Sequence, residues 1–127
     1  MTGLGLAAVG VGAVLGAWLR WGLGSWLNPA VPEIPLGTLT ANVVGGFAIG
    51  AAIAFFVRYP GIAPEWRLAI ITGFLGALTT FSTFSAESVT LIARGQYGWA
   101  ALHSFGHLAG SIAATAVGLV AFRFVVR

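Results

Sequence analysis

The chain has 127 residues, of which 58% are hydrophobic and 7% charged, with a mean hydropathy of +0.96 and a formal net charge of +3. Soluble domains carry roughly 25% charged residues, so these few cannot coat a water-soluble globule, and disordered chains are poorer in apolar residues. Composition excludes both classes and leaves the bilayer as the solvent.

The charged residues leave uncharged runs at 1–19, 34–57, 68–86 and 95–122. Each is near the roughly 20 residues that a helix needs to cross about 30 Å of hydrocarbon. The chain is therefore expected to form one all-α integral membrane domain over 1–127, with four spans at about 3–27, 36–57, 67–93 and 99–122. The first run has no Lys or Arg ahead of it, unlike a signal peptide, so span one is expected to be retained. A pI near 10.7 rests on scattered arginines and forms no basic cluster for nucleic acid. The absence of cysteine removes disulfides and thiolate chemistry.

Span one ends among Trp18, Trp21 and Trp26, which favour the headgroup boundary, and Arg20 there serves as a snorkelling anchor. Pro29, Pro32 and Pro35 separate it from span two. On that helix Thr38, Asn42, Gly46 and Gly50 follow one line at four-residue spacing. Asn42 is either interhelical glue or an amide donor for an anion. Span three carries Gly73, Gly76 and then Thr79-Thr80-Phe81-Ser82-Thr83-Phe84-Ser85, with Glu87 beyond. Two readings stand: a helix whose hydroxyls bond back to the preceding turn, or a broken helix whose freed backbone groups face a path. Phe81 and Phe84 are lipid-facing or core aromatics, or they offer positive ring edges to an anion. Glu87 is costly in lipid and is expected to face protein, water or a path.

On span four His103, His107, Ser111 and Thr115 form a polar stripe facing other helices. Its two histidines offer a metal two ligands, with no third evident. Gly12/Gly16, Gly46/Gly50 and Gly106/Gly110 predict close helix packing. Four tightly packed helices leave no wide lumen, so a conducting path calls for a dimer and for donors that replace an ion's water. With four spans, arginine counts favour cytoplasmic termini by four to two. No HExxH, GxSxG or P-loop pattern appears, and the reading is a non-enzyme.

Over essentially its full length the chain resembles the Fluc-type (CrcB) fluoride channels. The resemblance is carried by Gly16-Ala17-Trp18-Leu19-Arg20, by Gly37-Thr38-Leu39 with Asn42 and Gly45, and by Gly73, Gly76, the 79–85 string and Glu87. It implies an antiparallel, dual-topology homodimer in a bacterial inner membrane, with two pores that export fluoride passively. It further implies ring edges of Phe81 and Phe84 and the amide of Asn42 as fluoride contacts. Thr38, Ser111 and Glu87 would belong to polar tracks, with Arg20 at the vestibule. A central sodium ion would sit on backbone carbonyls at Gly76 and Thr79. His103 and His107 stand where the family pattern has tyrosine or a small hydroxyl. The rivals are a proton-coupled four-helix exporter, which needs a carboxylate deep in a span, and a non-transporting structural subunit.

Overall fold

The computed structural model describes Met1–Val126. Four helical stretches, Gly3–Ala30, Leu36–Arg58, Pro64–Ala93 and Tyr97–Val125, are long and apolar enough to cross a membrane. Large side chains such as Leu15, Trp18, Phe47, Ile112, Val117 and Val120 face outward, while the enclosed core around Ala41, Leu75 and Leu78 is small. Burial is thus inverted relative to a soluble protein, as an apolar solvent permits.

Helix α1 spans Gly3–Leu27, with the Thr2 hydroxyl accepting from Gly5 N–H at 3.1 Å as its cap. Helix α2 spans Leu36–Arg58. Its first turn is held from the end of the first stretch, where Asn28 Oδ1 accepts from the N–H groups of Gly37 at 2.7 Å and Thr38 at 3.2 Å. Those donors lack intrahelical acceptors, and an Asn side chain satisfies them.

The third stretch is assembled from pieces. It comprises α3 (Pro64–Arg67), a π-helical segment (Leu68–Leu75), α4 (Gly76–Leu78) and α5 (Phe81–Ala93). It starts three residues before the expected position because Pro64 opens it, where a fixed φ and a missing N–H suit a first turn. Between α4 and α5, Thr79 (φ −85°, ψ 152°) and Thr80 (φ −150°, ψ 121°) are extended. The Thr80 hydroxyl accepts from Thr83 N–H at 3.1 Å and caps α5. Hydroxyls also bond back to the preceding turn, Thr79 Oγ1 to Leu75 C=O and Ser85 Oγ to Phe81 C=O, both at 2.8 Å.

Helix α6 runs Tyr97–Val125, longer at both ends than the sequence suggests. Gly95, at φ 72°, turns the chain immediately before it, with Gln96 N–H donating to Leu91 C=O at 2.9 Å.

Glycines set the closest approaches. A Cβ on Gly12 would collide with the Ala69 carbonyl and one on Gly16 with that of Phe74, so α1 lies against the π segment and its continuation. On α2, Gly50 meets the Thr115 carbonyl, and on α6, Gly118 meets that of Phe47. The expected Gly106/Gly110 pair does not behave so. Gly106 has nothing within 4 Å, and Gly110 meets only Val43 Cγ2 at 3.4 Å. At this level the Asn42–His107 contact bridges α2 and α6, and the backbones come close from Gly46 onward, where a Cβ would meet the Ser111 carbonyl.

Candidate functional site

Thr79 N–H still bonds Leu75 C=O at 3.0 Å, but the N–H of the extended Thr80 has no helical acceptor, and α2 supplies one. Asn42 Oδ1 accepts from Thr80 N–H at 2.7 Å, and Asn42 Nδ2 donates to Thr80 C=O at 2.9 Å. The amide orientation is fixed by those two bonds. The second Nδ2 hydrogen is directed at His107 Nδ1, 3.0 Å away.

This junction forms the wall of a surface groove of about 290 Å³. Asn42, Thr79, Phe81, Phe84, His107 and Ser111 all line it. Phe81 and Phe84 meet edge to face, with centroids 5.2 Å apart and planes at 69°. Phe84 is buried and stacks on His107 at 4.8 Å, whereas Phe81 is 70% exposed on the single chain. Among the described residues, neither arginine nor carboxylate lines the groove. Its positive character comes from the amide, the hydroxyls, the ring edges and the N-terminus of α5, where the helix dipole is positive.

The other singled-out residues lie next door. Arg20 and Thr38 line a second cavity with Ser25, Asn28, Thr80 and Thr83. Arg20 Nε donates to the Ala77 carbonyl at 2.9 Å, so this side chain does more than anchor at the interface. It places a cation at the C-terminal carbonyls of α4, where the dipole is negative. Glu87 lies in a third cavity with Glu33 and Arg94, and its Oε1 accepts from the Thr38 hydroxyl at 2.7 Å. Thr80 is shared by the first two cavities and Thr83 by the second and third. Only Gly76 lies outside this set, exposed at the start of α4.

Sequence reasoning singled out Thr38 and Glu87 separately and missed their pairing, which joins positions 49 apart. It also missed the Arg20–Ala77 bond. The available signal was an arginine where an apolar helix would tolerate it only with an acceptor nearby.

Residues 7–119 match the family described as CrcB-like protein, Camphor Resistance (CrcB). The chain belongs to this CrcB family. It is 59% identical over 118 residues to a protein of Thiobacillus denitrificans named fluoride-specific ion channel FluC, covering 93% of this chain and 95% of that one. A protein of the same name from Pseudomonas paraeruginosa is 59% identical over 120 residues, covering 94% of each chain. Another, from Cupriavidus pinatubonensis, is 55% identical over 122 residues, covering 96% of this chain and 97% of that one. Family and spans together make this CrcB chain a multi-pass membrane protein.

Proposed function

We propose that the chain is a fluoride-selective passive channel that lets fluoride leave the bacterial cytoplasm through the inner membrane. The relatives' names support the ion, and one observation supports the route. A groove lined by no arginine among the described residues, built on the Asn42–Thr80 clamp, gathers amide, hydroxyl and ring-edge groups at the start of α5. Fluoride is small and tightly hydrated, so it needs several close donors in exchange for water. A full positive charge in the path would hold it too tightly to conduct.

The third span acts as a broken helix in this reading, with Thr79 and Thr80 at the break. The working unit is an antiparallel, dual-topology homodimer with two pores. Support comes from Phe81, whose exposed ring and open groove call for a second surface to enclose a path. Glu87, Thr38 and Ser111 lie along the polar track and Arg20 at its vestibule.

A structural sodium ion fits the backbone at Gly76 and Thr79. The amide that would bond the Gly76 carbonyl in a continuous helix belongs to Thr80 and goes to Asn42. The one that would bond the Thr79 carbonyl belongs to Thr83 and goes to the Thr80 hydroxyl. Both carbonyls are thereby released from their helical donors, and carbonyl oxygen suits a hard monovalent cation. Sodium there would supply positive charge at the centre of the dimer. This chain's residues hold the backbone in the required extended form.

The exporter reading is weaker because span one has no acid, and the Glu87 carboxylate is engaged by Thr38. The test is expression in a bacterium deprived of its own fluoride exit. Restored growth in fluoride medium supports the proposal, and no rescue by a membrane-inserted chain overturns it.

A further inference from the structure

Glu87 on α5 and His103 and His107 on α6 converge, each bringing a ligand atom within 4.8 Å of the others. The histidines are 1% and 3% exposed. Four of the cluster's polar atoms are buried without a hydrogen-bond partner among the described residues: Glu87 Oε2, both ring nitrogens of His103, and His107 Nε2. Unpaired buried polar atoms are destabilising; Glu87 Oε2 and His103 Nε2 face each other at ion-pair distance, and a cation among the three side chains would satisfy the carboxylate and one nitrogen of each ring. The third ligand that the histidine pair lacks in the sequence is therefore Glu87.

Spacing and ligand type suit a small four-coordinate ion. In a tetrahedral site with metal–ligand bonds of about 2.0–2.1 Å, neighbouring ligand atoms lie roughly 3.3 Å apart. His103 Nε2 and Glu87 Oε2 are 3.3 Å apart and lack the alignment of a hydrogen bond. We propose that Glu87, His103 and His107 form a binding site for a divalent transition-metal ion of the zinc class, and that loading it slows anion passage. Two imidazoles and one carboxylate suit such an ion and leave a position open. Calcium and magnesium want more oxygens than this site offers. Thr38 orients the carboxylate from behind, donating to Oε1 and leaving Oε2 to the metal.

The coupling to the groove runs through Asn42. Its fixed amide donates to His107 Nδ1, so in the metal-free neutral ring the proton sits on Nε2. Binding a metal through Nε2 requires the ring proton to move to Nδ1, and the Nδ1–H then opposes the Asn42 NH2 group, donor against donor, so that the Asn42 bond is lost. Both residues line the groove, and the new double positive charge beside it would retain an anion.

Binding is testable on the purified full-length protein in detergent, without any flux measurement. Titration with cobalt(II) is expected to give the intense visible bands of tetrahedral coordination at one ion per chain, displaced by zinc. Glu87→Gln and His103→Gln should each weaken zinc binding by at least about tenfold, while eluting as the wild type does and keeping its helical circular dichroism. Asn42→Ala, which removes the bond that loading must break, should tighten it. No tetrahedral band in the wild type, or undiminished zinc binding in both Gln variants, would overturn the site. The inhibitory half rests on the fluoride reading. In liposomes with measurable fluoride efflux, zinc should slow the wild type and spare His103→Gln, and equal rates with and without zinc would overturn that half alone.

Discussion

Asn42 holds the backbone of Thr80 at both ends, accepting from its N–H at 2.7 Å and donating to its C=O at 2.9 Å. The clamp replaces the helical bond that the extended Thr80 N–H cannot make to Gly76 C=O and adds a second bond to the carbonyl that starts α5. Asn42→Ala should leave the Thr80 N–H unpaired, at about 1–3 kcal/mol. The expected outcome is a lower unfolding midpoint in detergent, together with fluoride efflux from liposomes slowed at least about tenfold. Wild-type efflux per folded protein would reduce Asn42 to packing.

Phe81→Ile and Phe84→Ile keep apolar bulk and remove the aromatic edge. Fluoride efflux should fall sharply in both, while the oligomer seen by size-exclusion chromatography is unchanged. The effect should be purer at Phe81, which is exposed, than at Phe84, which also loses its stacking on His107. Unaltered rates in both variants would remove ring edges from the mechanism.

Two glycines on α1, two residues apart, offer an internal control for packing. A Cβ on Gly12 collides with the Ala69 carbonyl, whereas one on Gly10 meets nothing within 4 Å. Gly12→Ala should force α1 off the π segment, costing typically about 1–3 kcal/mol in strain. Gly10→Ala should fold as the wild type does. Thermal unfolding of the two variants in one detergent checks the contrast.

Glu87→Gln separates the passive channel from the proton-coupled exporter. A passive route should keep fluoride efflux, altered in rate because the bond between Thr38 and Glu87 changes character, and should need no pH gradient. Complete loss of flux in the variant, with flux in the wild type only under a proton gradient, would favour the exporter.

Much of the architecture is legible because the uncharged runs locate the four spans and the tryptophans and prolines mark their ends, and Asn42, Phe81, Phe84 and Ser111 stand out as polar or aromatic residues in odd company. What the sequence hid was pairing across helices. Periodicity places Asn42 and His107 on faces of their own helices but carries no information on which faces meet. For the same reason Gly106/Gly110 is indistinguishable in sequence from Gly46/Gly50, although only the latter pair faces a neighbouring backbone among the described residues. The π segment was invisible too, because one extra residue in a turn leaves no mark on composition.

If weak dipoles in a groove lined by no arginine among the described residues select and pass fluoride, chloride should be left behind. Liposomes loaded with equal fluoride and chloride, containing the purified chain and no pH gradient, test it most directly with ion-selective electrodes for each halide. Rapid fluoride efflux with chloride release no faster than from protein-free liposomes is the expected result. Equal release of both ions, or fluoride release at the protein-free rate, would contradict it.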